Sequence, residues 1–224
     1  MTDMSVTKAA LKHANETQAT GGGRRCALLD AAAAVFVKKG FHNTKVSDIV
    51  AAAGVAQGTF YLYFKTKMDV LEELIGGCCH DVIAKLKASS SAKAAVTSVQ
   101  ELRAHNIDFL VDVFESLEKQ HHTAKLILNT ADTDAAVDDF LTAFRRSLVN
   151  IVRSDLKKGM AGGYIRRLNP DIIAEGMVGM IYHIAFERFV RGRRLGKSIR
   201  KLAEEIVDFE LNGISCNGRT EGVT

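Results

Sequence analysis

The segment 55–67, VAQGTFYLYFKTK, carries side chains that could form hydrogen bonds to a partner from the surface of a short helix. Phe60 and Phe64 lie four residues apart, so both fall on one helical face and can anchor the segment inward. The other faces present Gln57, Thr59, Leu62 and Tyr63. A short helix with two buried aromatic residues and an exposed hydrogen-bonding face suits insertion into the major groove of DNA, although an ordinary amphipathic turn would show the same spacing.

Adjacent cysteines at 78 and 79, followed by His80, could support metal or thiol-redox chemistry. Neighbouring side chains on a helix point about 100° apart. The two thiols therefore cannot share a metal ion or form a disulfide unless the helix unwinds. We interpret Cys78 and Cys79 as small buried residues.

Two pairs of His and Glu have the spacing that places both residues on one helical face: Glu101 with His105, and His183 with Glu187. Each pair could supply two metal ligands, but ordinary helix-face pairs are the simpler interpretation. The sequence contains no Gly-rich phosphate loop, no nucleophile elbow and no persuasive pair of catalytic carboxylates. We therefore expect no enzyme activity, no metal site and no cofactor, and an enzyme built on a helical bundle is the least favoured alternative.

The composition indicates that helices position these residues. Of the 224 residues 47% are hydrophobic, with one proline and no tryptophan. Ala, Leu, Val and Lys recur in runs without strand-like alternation, so the predicted fold class is all-α. No apolar run reaches the roughly 18 residues that span a bilayer, and the N-terminus has no apolar signal core, so we expect a soluble cytoplasmic protein.

The positive charge is concentrated in one short block. Residues 24–67 contain seven basic and two acidic residues, a net charge of +5, whereas residues 1–23 are neutral. The formal charge of the whole chain is +4, which leaves −1 for the remainder. This distribution favours a polyanionic partner for the block and for no other part of the chain.

Glycines divide the first part of the chain into short helices. Residues 1–23 end in three glycines and show no sustained pattern, so we expect a flexible arm. Helical spacing then appears at Leu29, Ala32, Ala33 and Phe36. A second short helix follows Thr44 and ends at Gly54, and the segment 55–67 begins at once. Two short helices joined by a turn of about four residues containing Gly are typical of a helix-turn-helix, so residues 24–67 are predicted to be a DNA-binding domain.

These residues together resemble the DNA-binding domain of the TetR family of transcriptional regulators over about 45 positions. The positions that carry the resemblance are Phe36, Gly40, Phe41, Thr44, Val46, Asp48, Ile49, Ala53, Gly54, Val55, Gly58, Thr59, Phe60, Tyr61, Tyr63, Phe64 and Lys67. Two positions depart from the family pattern. Ala56 stands where a serine usually caps the recognition helix, and Phe60 stands where leucine is usual. An uncapped helix start costs about 1 kcal/mol.

The resemblance implies roles for individual side chains at a DNA surface. Gln57, Thr59 and Leu62 would face base edges. Four others would hold backbone phosphates: Thr44, Tyr61, Tyr63 and Lys67. Their chemistry agrees, because a glutamine can pair bidentately with adenine, a leucine can contact a thymine methyl group, and hydroxyl and ammonium groups bind phosphate oxygens.

Residues 68–213 are predicted to form a larger helical domain. A linker helix runs from about Lys67 to Leu86, and a later helix begins at Asn169-Pro170, an N-cap followed by proline in the first turn. The last helix carries an apolar stripe formed by Ile199, Leu202, Ile206 and Phe209. We expect residues 214–224 to be a flexible tail.

The last two helices, about 170–213, are more apolar than one small domain needs, so we expect them to form a homodimer interface. In the TetR family these helices pair with their symmetry mates. The resemblance also implies a ligand cavity between the linker helix and the later helices, and the few charged residues there favour a largely apolar or aromatic effector. The candidate pocket residues are Phe109, Phe114, Phe140, Phe144, Met177, Met180, Tyr182, His183 and Phe186.

The resulting prediction is a ligand-responsive transcriptional regulator with an N-terminal three-helix helix-turn-helix domain and a larger ligand-binding and dimerisation domain. We expect a homodimeric repressor that binds a palindromic double-stranded DNA operator with one recognition helix per half-site. A small effector would release it by moving the helix that begins near Lys67. The alternative is a regulator that senses a metal or thiol oxidation through Cys78, Cys79 or the His–Glu pairs.

Overall fold

The computed structural model describes residues 4–93, 96, 98–129 and 135–214, and the side chains of residues 22–93, 96, 98–129 and 137–214. Regular structure in these ranges is entirely helical, which confirms the predicted fold class. The helices are α1 (Met4–Lys39), α2 (Val46–Ala53), α3 (Gln57–Tyr63), α4 (Lys67–Ala92), α5 (Val99–Lys119), α6 (His121–Leu128), α7 (Ala135–Ala161), α8 (Pro170–Ala185), a π-helical turn (Phe186–Val190) and α9 (Ile199–Ile214). None of the described helices is long and apolar enough to cross a membrane.

The chain divides into two compact units, Met1–Leu74 and Ile75–Thr224. The boundary falls inside α4, whereas the sequence analysis ends the first domain at residue 67, where this helix begins. The predicted tail lies outside the described residues from position 215 onward.

Helix α1 begins at Met4, about five and a half turns before Arg24, where the first helix was expected. This differs from the prediction of a flexible arm over residues 1–23, of which residues 1–3 lie outside the described range. The segment before the glycines contains four alanines and two lysines, which are good helix formers, and no glycine or proline, and this composition permits a helix without an amphipathic pattern.

The first unit is organised around fully buried side chains from three helices. Leu28 and Phe36 of α1, Ile49 of α2 and Phe60 of α3 are each at most 1% exposed. The ring of Phe36 also contacts Phe41 in the turn after α1, with 5.3 Å between the ring centroids. Burial of these large apolar groups fixes α3 against α1 and α2.

Two local features fix the helix-turn-helix. Gly54 adopts a left-handed conformation (φ 66°) at the end of α2, where a side chain would be strained. The N–H of Val55 donates to the carbonyl oxygen of Val50 (3.1 Å), as in a helix C-cap.

At the start of α2, the carboxylate of Asp48 accepts from the N–H of Lys45 (3.0 Å) and from the ammonium of Lys39 (2.8 Å). Both hydrogen bonds lower the pKa of Asp48, and the one from Lys39 has the larger effect.

The second unit packs α5 against α9 and α7 against α8. Leu110 of α5 and Val207 of α9 are buried in its main core, where Phe114 also contacts Phe189 with 6.2 Å between ring centroids. The predicted start of α8 is confirmed: Oδ1 of Asn169 accepts from the N–H of Asp171 (3.0 Å), and proline follows as the first helical residue.

Candidate nucleic-acid interface and ligand cavity

Helix α3 is held by two buried aromatic side chains, as its spacing predicts. Phe60 is fully buried and Phe64, which caps the helix, is 3% exposed. Their ring centroids are 5.7 Å apart. The helix has only seven residues and its N-cap residue, Ala56, makes no side-chain hydrogen bond, so packing of the two rings stabilises it in place of a cap.

The opposite surface of α3 exposes the residues predicted to meet DNA. Leu62 is 78% exposed and Tyr61, its neighbour, is 54% exposed. Gln57 is exposed one turn before Tyr61, and Thr59 and Tyr63 are half-buried. The helix thus presents hydrogen-bonding, hydroxyl and methyl groups together, which are the groups that recognise base edges and phosphates.

Lys67 has a different role from the predicted phosphate contact. Its ammonium group donates to three backbone carbonyl oxygens, those of Phe41 (2.7 Å), His42 (3.0 Å) and Thr44 (2.8 Å). It also lies 4.6 Å from the ring centroid of Phe41. An ammonium group has three N–H donors, and all three are used. Lys67 therefore fastens the start of α4 to the turn between α1 and α2.

Thr44 also differs from its predicted role. The residue is 2% exposed, and its hydroxyl donates to the carbonyl oxygen of Gly40 (2.8 Å). A hydroxyl buried in this way is not presented to a phosphate. Thr44 instead closes the turn after α1, the same turn that Lys67 holds from the other side.

Several cations of the basic block are used inside the first unit. Arg25 forms a bidentate ion pair with Glu73 and lies 5.3 Å from the ring centroid of Phe64. Lys39 pairs with Asp48. Four other exposed basic side chains of the block form no ion pair with a described residue and are available to a polyanion: Arg24, Lys38, Lys45 and Lys65. None of these four was predicted to contact DNA, although Lys45 directly precedes α2 and Lys65 lies two residues after the end of α3.

Asp69, in the first turn of α4, holds the loop between α3 and α4 by hydrogen bonds. Its carboxylate accepts from the N–H groups of Lys65 (2.9 Å) and Thr66 (3.3 Å) and from the hydroxyl of Thr66 (2.6 Å). The Thr66 hydroxyl is the main cause of a lowered pKa of Asp69, followed by the Lys65 amide. This cap fixes the backbone at Lys65, directly after α3.

The second unit contains an apolar cavity of about 120 Å³. Its walls are formed by side chains of α4, α5, α6, α7 and α8. Four of the predicted pocket residues line it: Phe109, Phe114, Phe144 and Tyr182. The hydroxyl of Tyr182 donates to the carbonyl oxygen of Ile127 (3.0 Å), and burial raises its pKa. The rest of the lining is aliphatic or thiol, so the apolar cavity suits an apolar or aromatic group.

A neighbouring cavity of about 270 Å³ is lined from α4, α5, α7, α8 and α9, and we call it the polar cavity because it adds polar groups to an otherwise apolar wall. Phe109 lines both cavities, and the predicted Met177 lines the polar one. Charged, amide and hydroxyl groups, which were not predicted, also line it: Ser90, Lys93, Asn106, Asp155, Lys158 and Glu210. These residues come from α5, α7, α9 and the end of α4, so only the packing of distant segments brings them together.

Four predicted pocket residues line neither of these two cavities. Phe140 and His183 are exposed, and Met180 and Phe186 pack half-buried against the core of the second unit. Phe140 lies one turn before Phe144, so the amphipathic pattern selects the correct helix but not the correct turn.

The two adjacent cysteines lie in the wall of the apolar cavity. Burial raises the pKa of Cys78 to about 11 and that of Cys79 to about 12, so both thiols are protonated at neutral pH and are poor nucleophiles and metal ligands. His105 shares a hydrogen bond with the hydroxyl of Ser89 (2.8 Å), and the carboxylate of Glu187 accepts from Arg193 (2.9 Å). The described residues include no group of three or more His, Cys, Asp or Glu that could hold a metal ion.

Residues 28–74 match the family model for bacterial regulatory proteins of the tetR family. The chain therefore carries the DNA-binding domain of the TetR family of transcriptional regulators. The matched range contains the helix-turn-helix and the first turns of α4, and it includes every residue predicted to meet DNA.

Relatives and solved structures extend the similarity into the second unit. YdgC, an HTH-type transcriptional regulator of Bacillus subtilis (strain 168), is 29% identical over 194 residues, 85% of this chain and 92% of YdgC. The HTH-type transcriptional repressor KstR2 of Rhodococcus jostii (strain RHA1) is 27% identical over 61% of this chain and 67% of its own. SmeT is the repressor of the multidrug efflux pump SmeDEF of Stenotrophomonas maltophilia, and its structure has been solved in complex with triclosan. SmeT in that complex shares the fold of this chain with a TM-score of 0.71 at 22% identity, over 88% of this chain and 93% of SmeT.

Proposed function

We propose that this TetR-family regulator is a homodimeric repressor that binds a palindromic operator and leaves it when a small, largely apolar or aromatic effector binds. The observation that carries this proposal is the surface of α3, where Leu62 and Tyr61 are exposed on a helix anchored by buried Phe60 and Phe64. Exposed apolar groups on so short a helix are costly in water and become useful against base edges.

In this proposal Gln57, Thr59 and Leu62 read bases while Tyr61 and Tyr63 hold phosphates. The exposed Lys45 and Lys65 supply the phosphate contacts that the resemblance would give to Thr44 and Lys67. Lys65 suits this role because its backbone is fixed by the Asp69 cap while its side chain remains exposed. Phosphate contacts of this kind set the register of the protein on DNA but do not read its sequence.

The homodimer would form through α8 and α9. The exposed residues of α8 recur at helical spacing along one face: Ile172, Glu175, Gly176, Gly179 and His183. Nothing lies within 4 Å of a side-chain carbon built at Gly176 or Gly179, so a second backbone can approach there. Phe209 of α9 is 71% exposed although the sequence analysis places it in the same apolar stripe as the buried Leu202 and Ile206. An exposed Phe209 is what a partner subunit would cover.

Effector binding would act through α4. This helix supplies Cys78, Cys79, Val82 and Leu86 to the wall of the apolar cavity, and the boundary between the two units falls within it. An effector that binds one position of α4 more tightly than another would shift the separation of the two reading heads. Coupling of about 1–3 kcal/mol is typical of such regulation. Two similar proteins support the class, because KstR2 is a repressor and SmeT is a repressor solved with triclosan.

The proposal is tested by selecting bound sequences from a random DNA pool and titrating the selected site with candidate effectors. We expect an inverted repeat whose half-sites lie one helical turn, roughly 34–36 Å, or a multiple of it apart. Triclosan, an apolar aromatic compound, serves as the first probe. Selection of non-repeated sequences would contradict the dimeric reading of DNA, and unchanged operator affinity with a probe that demonstrably fills the cavity would contradict the effector mechanism.

A further inference from the structure

Glu210 of α9 is a buried acid with an unused acceptor. It is 9% exposed, and its Oε1 atom has no hydrogen-bond partner among the residues that the structure describes. Burial of an unpartnered carboxylate is costly, so such a group is retained where a ligand or a bound water completes it. Glu210 lines the polar cavity, so a molecule in that cavity can reach it.

The cations near Glu210 are directed to another acid. Asp155 lies 3.5 Å from the ammonium of Lys93 and 3.7 Å from that of Lys158, and it also accepts from the hydroxyl of Ser90 (2.5 Å). The remaining titratable residue that lines the cavity is Tyr164. Burial raises the pKa of Glu210 to about 7, and the charge of Lys93 opposes this rise. Among the described residues, Glu210 is therefore the lining acid that forms no ion pair, since the nearby Lys93 pairs with Asp155.

The polar and apolar cavities share part of their walls. Residues common to both are Leu86, Phe109, Leu110, Val152, Val178 and Ile181. A molecule with a polar head beside Glu210 can therefore extend an apolar body along these shared side chains. This arrangement favours an amphiphile over a uniformly apolar compound.

We infer that the effector is an amphiphilic amine whose ammonium group donates to Glu210 and whose apolar body lies along the residues shared by the two cavities. The inference rests on the proposed function and names the chemical class of its effector. An ammonium both supplies the missing donor and neutralises the buried charge. A carboxylate head group would instead place a second negative charge beside Glu210, and an alcohol would supply a donor without charge.

The test measures direct binding to the full chain by calorimetry at pH 8.0 with three probes of equal chain length: decylamine, decanol and decanoate. We expect decylamine to bind most tightly and decanoate most weakly. Glu210→Gln should weaken decylamine binding about tenfold or more, because it removes a charge-assisted hydrogen bond, and should change decanol binding little. Glu205→Gln, at an exposed glutamate of the same helix, is the matched control and should leave all three affinities unchanged.

Acidification gives a second readout that needs no variant. Between pH 8 and pH 6 Glu210 gains a proton, so decylamine affinity of the wild-type protein should fall about tenfold while decanol affinity stays level. Absence of decylamine binding, decanoate binding as tightly as decylamine, or an unchanged decylamine affinity in Glu210→Gln would overturn the inference. Tight decylamine binding through Glu210 without release of the operator would leave the inference standing and contradict the proposed function instead.

Discussion

At the scale of single residues, two neighbouring lysines divide structural and DNA-binding roles. Lys67 donates to three carbonyl oxygens of the α1–α2 turn, whereas Lys65, two residues earlier, is exposed beside α3. Both are basic residues in the same block, so charge alone treats them alike. Because their surroundings differ, replacing Lys67 should affect stability, whereas replacing Lys65 should affect DNA binding.

Lys67→Met should lower the free energy of unfolding by about 1.5–3 kcal/mol, because it leaves three carbonyl oxygens without their charged donor. It should leave the salt dependence of operator binding unchanged. Lys65→Met is the matched control and should do the reverse, with stability within about 0.5 kcal/mol of wild type and a salt slope reduced by about one. Urea denaturation and operator titrations over a salt series measure both quantities. A reduced salt slope with unchanged stability in Lys67→Met would restore its assignment as a phosphate contact.

At the scale of elements, the cap formed by Asp69 sets the start of α4. Its pKa lies below the usual 3.8, so the folded state favours the ionised carboxylate. The stability this provides is present above the pKa of the unfolded chain and is lost as the pH falls through the lower pKa of the folded state.

Asp69→Asn should therefore reduce the melting temperature at pH 7, and its difference from wild type should shrink as the pH falls below about 4. Differential scanning calorimetry between pH 7 and pH 3 makes the comparison. Glu72→Gln, at an exposed acid of the same helix, is the control and should follow wild type. A difference between Asp69→Asn and wild type that stays constant at all pH values would show that the charge of the cap has no part in stability.

The elements also show what the sequence can and cannot specify. Gly54, the Phe60–Phe64 pair and the Asn169-Pro170 start were predicted because each depends on residues within about four positions. The carbonyl partners of Lys67 lie 23 to 26 positions earlier in the chain. No local pattern indicates such partners.

The cavities depend even more on packing between distant segments. A helical period indicates that α7 has an apolar face, but only its neighbours decide that Phe144 lines a cavity and Phe140 is exposed. The approach of Glu210 on α9 to the end of α4 has no sequence signal, because the two segments are more than a hundred residues apart. The resemblance to the TetR family predicted a ligand cavity, whereas the polar residues that line part of it were not predicted.

At the scale of the whole molecule, the exposed face of α8 and α9 is the proposed dimer interface. Phe209→Glu should convert a dimer to a monomer at micromolar concentration, because it would bury a charge in each half of the interface. Phe140→Glu replaces an exposed phenylalanine of α7, outside that interface, and should remain dimeric. Sedimentation equilibrium measures the molar mass of each. A dimeric Phe209→Glu protein would place the interface elsewhere.

The central claim is that α3 reads DNA bases, and the most direct test compares the sequence preference of the wild-type protein with that of Gln57→Ala on the same random DNA pool. Gln57 is exposed, so the variant should remain folded. The claim predicts that preference relaxes at one symmetry-related position in each half-site, with a loss of about 1–3 kcal/mol of discrimination there, while the rest of the operator is unchanged. An identical preference and affinity for the two proteins would contradict it.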